Sequence, residues 1–199
     1  LIGAVIMAHG DNRGLKLPPL VAPIQAVIVP IAQQKEGVLD EAYKLKNRLN
    51  ERIRIKLDDR DNYSVGYKFN DWEMKGVPIR IEIGPKDIEK REAILVRRDT
   101  SEKIQVKLED IETKIDEMLK NIQVNMFNIC KKRMEEKTTI ATNIEELKKN
   151  LEENQGFVKS MWCGNQECED KVKEITGAPS RCIPFEQEHL SDVCVCCGR

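Results

Sequence analysis

Residues 66–87 of the chain read GYKFNDWEMKGVPIRIEIGPKD, and the second half of this stretch predicts the kind of fold. From residue 77 to residue 83 an apolar side chain occupies every odd position, whereas Arg80 and Glu82 lie between them. Such alternation is typical of a β-strand that buries one face in a core. A Gly-Pro pair then ends the strand and opens a short charged turn. The stretch therefore predicts a half-buried strand with charged residues on its second face.

Strand and helix patterns alternate around this stretch. Residues 24–31 are apolar apart from Gln25, which is typical of a strand covered on both faces, and residues 37–51 carry leucines at helical spacing. The other predicted elements are strands at 53–57, 93–98 and 103–108, a short helix at 70–75 and a long amphipathic helix at 109–136. The apolar stripe of the long helix shifts its spacing, which favours packing on a sheet over a coiled coil. The sequence thus predicts the α/β class, with a five-stranded mixed sheet flanked by helices.

The two ends of the chain differ from this middle part. Residues 1–7 are apolar and predict a buried strand, and a proline-rich connector follows at 16–23. Beyond residue 136 a small α+β unit is predicted, with helices from residue 143 and at 166–176 and strands at 156–162 and 181–184. The predicted domains are a remnant of a preceding domain with its connector at 1–22, a sheet domain at 23–136 and a small domain at 137–199. Because the chain opens inside an apolar run and not with methionine, we expect it to be a piece of a longer protein.

The composition is that of a soluble globular protein, with 40% hydrophobic and 34% charged residues. No run approaches the roughly twenty apolar residues of a membrane span, so we expect no membrane partner. The formal net charge of −1 is unevenly spread, because residues 151–199 hold 5 basic and 9 acidic side chains. We therefore expect any polyanionic partner to bind the part of the chain before residue 151.

Seven cysteines, six of them after residue 160, form the strongest chemical signal in the sequence. Cys163 and Cys168 make one close pair and Cys194 and Cys197 make another, so two loops can converge on one tetrahedral ion. This quartet gives each side a compact chelate without using adjacent residues. Four thiolates saturate Zn²⁺ and leave no position for a reactive water, so we predict a structural zinc site.

Alternatives to this quartet stay open from the sequence alone. Cys182 or Cys196 could replace one ligand, and disulfides or unliganded thiols could replace the metal site altogether. The odd number of cysteines and their clustering favour a metal site in a reducing cytoplasm over a secreted disulfide framework. Cys130 falls on the apolar stripe of the long helix and is predicted to be a small buried residue.

Residues 66–87 also carry the types of side chain that read unstacked nucleic-acid bases. The ring of Phe69, the carboxylate of Glu73 and the cations Arg80 and Lys86 are predicted to gather at one exposed edge. The alternative is that these charges only form the solvated face of a half-buried strand. No nucleophile elbow, phosphate-binding glycine loop or paired-carboxylate motif occurs, so we assign no catalytic residue.

Three segments, in order along the chain, carry a resemblance to a known family. Residues 1–31, LIGAVIMAHGDNRGLKLPPLVAPIQAVIVPI, resemble a passage from the third class II synthetase motif into an anticodon-binding domain. Residues 66–87, together with AILVRRDT at 93–100, resemble an anticodon-recognition region. WCGNQECEDKVKEITGAPSRCIPF at 162–185 and CVCCG at 194–198 resemble a zinc-binding C-terminal domain. Together they resemble the C-terminal part of prolyl-tRNA synthetases of the archaeal and eukaryotic-like type.

The resemblance implies a role for each part of the chain. The sheet domain would read the two guanines of the proline anticodon. Glu73, Arg80 and Lys86 would bond to guanine edges, and Phe69 would stack on a base. The four cysteines of the predicted quartet match the zinc ligands of the family. The parent enzyme would be a cytoplasmic proline–tRNA ligase that uses ATP and proline and forms a homodimer through a catalytic domain absent from this chain.

The resemblance also sets limits on what the chain does by itself. The expected partner is tRNA(Pro), and neither DNA nor a membrane is expected. Because the ATP-binding motifs and the proline pocket are missing from this sequence, we predict that the chain alone is catalytically inactive. A free-standing zinc-containing RNA-binding or scaffold module without an enzymatic parent is the alternative.

Overall fold

The computed structural model describes residues 2–199 and divides into two units, the first reaching to Asn128 and the second beginning at Ile129. The strands of the first unit are β1 (Ala26–Pro30), β2 (Ile55–Leu57), β3 (Ile79–Ile83), β4 (Glu92–Arg97) and β5 (Lys103–Lys107). They form one sheet in the order β2-β1-β3-β4-β5. β1 is parallel to β2 and β3, whereas β4 is antiparallel to β3 and β5. The predicted five-stranded mixed sheet is confirmed.

Helices cover both faces of this sheet. Those that begin in the first unit are α1 (Ile2–His9), α2 (Val38–Asn50), α3 (Val65–Met74), α4 (Pro85–Lys90) and α5 (Ile111–Glu136). α5 starts in the first unit and ends in the second, so the division falls inside a helix that the sequence predicted as continuous. Over residues 2–199, no helix is long and apolar enough to cross a membrane.

The main core lies between one face of the sheet and the helices α2 and α5. Its members share near-complete burial and include Ile79, Ile81 and Ile83 of β3, Leu45 and Leu49 of α2, and Ile111, Ile115 and Ile122 of α5. The apolar positions of α2 and α5 recur at helical spacing, so each helix presents one stripe to the sheet. The side chains on this face pack against the two helices, and none of the candidate site residues lies there.

The opposite face of the sheet is covered differently, because α3 packs mainly over β1. Val27, Val29, Trp72 and Val77 form a small second core there. Arg80 of β3 lies in register with Val27 of β1, and so belongs to this face. The sequence predicted that Arg80 lies at an exposed edge and that Glu82 shares its face of a half-buried strand. The predicted exposure of Arg80 is wrong, because both side chains are buried. Packing of α3 across the sheet, which strand periodicity does not reveal, is the reason.

The first residues of the chain do not form the predicted strand. Residues 2–9 form the helix α1, with Ile2 and Met7 exposed to solvent. A short run in which every residue is apolar has no periodicity that distinguishes a strand from a helix. A strand also needs a neighbouring strand to which its backbone can hydrogen-bond. The sheet of the first unit ends at β2 and β5, and residues 2–9 pair with neither.

The second unit is small and mixed, as predicted. It contains β6 (Thr138–Ile140), α6 (Ile144–Asn154), β7 (Phe157–Lys159) and α7 (Gln166–Thr176), and β6 pairs in parallel with β7. Its core is limited to Ala141, Leu147 and Val195, with partly buried residues around them. The strand predicted at 181–184 does not form, since this exposed segment pairs with neither β6 nor β7.

Candidate nucleic-acid interface and metal centre

Helix α3 positions the aromatic and acidic side chains of the first candidate site. The side chain of Ser64 caps the helix by accepting a hydrogen bond from the Tyr67 N–H at 3.2 Å. Phe69, Trp72 and Glu73 follow at spacings of three and four residues, so they share one side of the helix. Trp72 is buried, Phe69 packs partly against the second core, and the Glu73 side chain is 21% exposed.

Arg80 is the centre of this site. Its guanidinium carbon lies 4.0 Å from the centroid of the Phe69 ring, a cation–π contact. Nε and Nη2 donate to Oε1 of Glu82 at 3.1 and 2.9 Å, and Nη1 lies 3.5 Å from Oε1 of Glu73. Only 9% of the Arg80 side chain is exposed. The structure thus brings Phe69, Glu73 and Arg80 together, with Arg80 held beneath the other two.

Lys86 is not joined to these three residues. It lies exposed on α4. This helix is capped at its start by Asp87, whose Oδ2 accepts a hydrogen bond from the N–H of the N-cap residue Gly84 at 2.8 Å. Within residues 2–199 no hydrogen bond, ion pair or ring contact links Lys86 to Phe69, Glu73 or Arg80. The charged turn predicted after β3 is therefore a short helix that holds this lysine at the surface.

Glu73 is fixed by two arginines that the sequence did not single out. Arg98, which directly follows β4, donates from Nε to the backbone oxygen of Glu73 at 2.9 Å. Nη1 of Arg13 lies 3.8 Å from the Glu73 carboxylate. Arg98 also grips Asp11 with two bonds of 2.7 and 3.0 Å. The hydrogen bond from Arg98 is the main reason that the pKa of Asp11 lies well below its usual range.

A buried acid, Asp58, anchors the other side of α3. It accepts from the Trp72 indole at 2.7 Å and from Nε and Nη2 of Arg60 at 2.8 and 2.7 Å. Burial alone would raise the pKa of Asp58, but these donors lower it. Lys68, itself buried, donates to the backbone oxygen of Asp58 and to Gln33 at 3.3 and 3.0 Å. This network makes the position of α3, and hence of Phe69 and Glu73, rigid.

The four predicted cysteines of the second unit converge. The sulfur atoms of Cys163, Cys168, Cys194 and Cys197 all lie within 4.8 Å of one another. The Cys163 sulfur is 3.6 Å from that of Cys168 and 4.0 Å from that of Cys197. Sulfurs in a tetrahedral site with metal bonds near 2.3 Å are separated by about 3.8 Å, so the group fits one tetrahedral ion. Cys182 and Cys196 lie outside this group.

The backbone around the cysteines suits thiolates. Burial alone would raise the pKa of Cys194, yet backbone N–H groups of Cys197, Cys196 and Cys163 bring it down to about 6. The neighbouring Cys163 sulfur has the largest effect on Cys168 and raises its pKa. Gly198 has a φ of 67°, a left-handed conformation, and its N–H donates to the backbone oxygen of Cys194 at 3.0 Å. The group therefore places four soft sulfur donors close together, and a bound cation would reduce the repulsion between their thiolates.

Comparison with known proteins gives the context of both sites. The family model described as "Anticodon binding domain" matches residues 25–118, and that described as "Prolyl-tRNA synthetase, C-terminal" matches residues 144–199. A proline–tRNA ligase of Clostridium botulinum (strain Langeland) is 59% identical over all 199 residues. The chain therefore contains an anticodon-binding domain and a prolyl-tRNA synthetase C-terminal domain.

Other relatives agree with this assignment. A proline–tRNA ligase of Alkaliphilus oremlandii is 56% identical and "Proline–tRNA ligase 2" of Bacillus cereus is 54% identical, each over the whole chain. The chain spans 41% of the length of the Clostridium protein and 42% of the other two, and corresponds to the C-terminal part. In prolyl-tRNA synthetase terms, Phe69, Glu73 and Arg80 lie within the anticodon-binding match, and the four cysteines lie within the C-terminal match.

Several residues around the site were missed from the sequence. Arg13 and Arg98 contact Glu73, and Asp11 holds Arg98, but the polar loop at 10–14 gave no local sign of its distant partners. Tyr63 and Tyr67 stack with ring centroids 4.4 Å apart, and both are exposed. Their spacing of four residues at the start of a helix was the one available signal for that pair.

Proposed function

We propose that this chain is the anticodon-reading and zinc-stabilised part of a proline–tRNA ligase. The observation that carries the proposal is the contact set of Phe69, Glu73 and Arg80, which places an aromatic ring and a partly exposed carboxylate around one guanidinium on the α3 face of the sheet. Similarity to proline–tRNA ligases over the whole chain supports this function over a free-standing RNA-binding or scaffold module.

The chemistry of guanine matches these side chains. The partly exposed carboxylate of Glu73 accepts hydrogen bonds from N1–H and N2–H of a guanine edge. One face of the Phe69 ring is occupied by Arg80, so a base stacks on what remains exposed of the ring. Arg80 holds Phe69 and Glu73 in place, because its guanidinium contacts the Phe69 ring and the carboxylates of Glu73 and Glu82. Lys86, exposed on α4, donates to a base or phosphate of the same loop.

The proposed partner is the anticodon loop of tRNA(Pro). Sequence-specific reading of RNA targets bases that are already unstacked, as in such loops, so a DNA duplex is not the expected ligand. The complete ligase, of which the curated relatives are examples, would activate proline with ATP and transfer it to this tRNA, as a homodimer in the cytoplasm. The chain described here supplies recognition and no catalytic residue.

The four cysteines of the second unit are proposed to bind Zn²⁺. Support comes from the donor set, the sulfur–sulfur distances and the small core of three buried residues, which needs a further source of stability. Zn²⁺ bound by four thiolates has no open position, so its effect is to fold the loop residues around it. The free thiols that such a site requires are maintained in a reducing cytoplasm.

Binding of a short RNA hairpin with the proline anticodon loop tests the proposed function. The intact chain should bind it about 10- to 100-fold more tightly than a hairpin in which adenines replace both guanines, as expected for loss of specific base contacts. Fluorescence anisotropy at low and physiological salt separates this preference from general phosphate binding. Equal affinity for the two hairpins would refute anticodon reading.

A further inference from the structure

Arg13 lies beside Glu73 and is not part of the predicted site. Its Nη1 is 3.8 Å from Oε1 of Glu73, and its Nη2 donates to the hydroxyl oxygen of Ser101 at 2.7 Å. More than half of the Arg13 side chain, 55%, is exposed. A guanidinium next to the predicted base-reading carboxylate therefore has N–H groups directed at solvent.

The loop that carries Arg13 is firmly attached at this place. Both oxygens of Asp11 are held by Arg98, and Oδ1 of Asp11 also accepts from the Arg13 backbone N–H at 2.8 Å. Leu15 then donates from its backbone to the Met74 oxygen at 3.0 Å. Gly14 has a φ of 119°, and a Cβ there would lie 2.5 Å from Cα of Met74. The backbone at Arg13 is thus fixed against the end of α3, where Glu73 lies.

Arg13 and Arg80 differ in what they can offer a ligand. Three N–H-bearing nitrogens of Arg80 are directed at carboxylates, and its side chain is nine-tenths buried. Arg13 has one short bond to a neutral hydroxyl and a longer ion pair with Glu73. Of the two, Arg13 is the guanidinium that can donate to a base without first losing a buried ion pair.

A carboxylate beside a guanidinium matches one base edge in particular. Guanine presents the donors N1–H and N2–H next to the acceptor O6, whereas adenine presents a donor where guanine has O6. We propose that Arg13 is a specificity-determining residue, which donates to O6 of the guanine whose N1–H and N2–H groups are accepted by Glu73. This inference rests on the proposed function, because it names a further contact to the same RNA loop.

Base analogues in the RNA hairpin test this contact with the intact chain. Arg13→Met should weaken binding of the guanine hairpin about tenfold. With 2-aminopurine, which lacks O6, at the contacted position, the variant and the unaltered chain should bind equally. With inosine, which keeps O6 and lacks the amine, the tenfold difference should persist. Each of the two guanines is replaced in turn, since either could be the one at Glu73.

A matched variant controls for charge. Arg52 is half-exposed on the α2 side of the sheet, where it pairs with Glu112 and Asp116, so Arg52→Met removes one positive charge away from the site. It should bind all hairpins like the unaltered chain. Melting temperatures of both variants verify that they fold.

The outcomes separate the inference from the function on which it rests. If Arg13→Met does not weaken binding, or weakens binding of the guanine and of both 2-aminopurine hairpins to the same extent, Arg13 does not contact O6 and the inference is wrong while anticodon reading stands. If the unaltered chain itself fails to prefer guanines over adenines, the proposed function is wrong and the inference is overturned with it.

Discussion

The guanidinium of Arg80 covers one face of the Phe69 ring, with its central carbon 4.0 Å from the ring centroid. The same guanidinium is bonded to Glu82, whose side chain is 5% exposed. A charged pair buried in a strand therefore supports the aromatic ring at the proposed base-binding site. Because removal of either charge leaves the other poorly solvated, the effect of Arg80 on RNA binding can be interpreted only together with its effect on folding.

Arg80→Met should lower the free energy of unfolding of the first unit by about 2–4 kcal/mol, because it removes a direct partner of the buried Glu82 carboxylate. Lys103, 3.5 Å from the same oxygen, compensates in part. The double variant Arg80→Met/Glu82→Met should recover at least half of this loss, since no buried charge is left unpaired. Urea unfolding followed by Trp72 fluorescence, in a Trp162→Phe background, measures both.

The exposed pair of Lys107 and Glu109 provides the control for this cycle. Replacing Lys107 by Met should change the free energy of unfolding by less than about 1 kcal/mol, as is usual for a surface ion pair. A double variant that is less stable than Arg80→Met alone would contradict the explanation by an unpaired buried charge.

The sheet was predictable because its strands have local signatures. The apolar run at 24–31, interrupted only by Gln25, predicted the interior strand β1, and the alternation at 77–83 predicted β3. The cysteine spacing likewise predicted a quartet whose sulfurs converge. In each of these cases the cause of the structure can be read from nearby residues. For the strands it is the repeat of apolar residues, and for the cysteines it is the spacing within each chelating pair.

The surroundings of Glu73 were not predictable in the same way. Arg98 and Asp11 are separated by 87 residues, and their two hydrogen bonds leave no periodic trace in either segment. The burial of Arg80 depends on where α3 crosses the sheet, and strand alternation does not specify that. The sequence thus identified the residue types of the site, whereas the fold decides which of them are exposed.

Cys163→Ser should abolish stoichiometric zinc binding by the intact chain, because it removes one of four ligands. Cys182→Ser, which changes an exposed cysteine outside the group, should leave the zinc content near one ion per chain. Metal analysis by mass spectrometry checks both. Loss of zinc should speed amide hydrogen exchange in the second unit and leave the sheet protected, since the two have separate cores. Absence of zinc from the unaltered chain would contradict the assignment.

Asp11→Asn should reduce the stability of the first unit by about 2 kcal/mol at neutral pH, because it loses charge-assisted bonds from Arg98. The pKa of Asp11 is lowered in the folded state, chiefly by the Arg98 hydrogen bond. A carboxyl group whose pKa is lowered by folding stabilises the folded state at pH values above its pKa in the unfolded chain, near 3.9. This stabilisation is lost as the pH falls towards the lower pKa of the folded state. The difference from the variant should therefore be constant above about pH 5 and shrink below about pH 4.

Urea titrations at a series of pH values, again read at Trp72, measure this difference. Asp61→Asn, a change at an exposed acid, serves as the matched control and should show no comparable difference at any pH. A difference between Asp11→Asn and the unaltered chain that stays the same in acid would indicate that the Asp11 charge does not contribute.

Glu73→Gln should remove most of the preference for guanine, because an amide has one acceptor oxygen where the carboxylate has two and carries no charge. The affinity for the guanine hairpin should fall about 10- to 100-fold. The penalty that inosine imposes on the unaltered chain, through loss of the N2 amine, should largely disappear in the variant. Glu109→Gln, at a side chain that is mostly exposed near the start of α5, is the matched control and should bind as the unaltered chain does. If Glu73→Gln still distinguishes guanine from inosine to the same degree, another residue accepts from the amine and Glu73 only helps to hold Arg80 and Arg13.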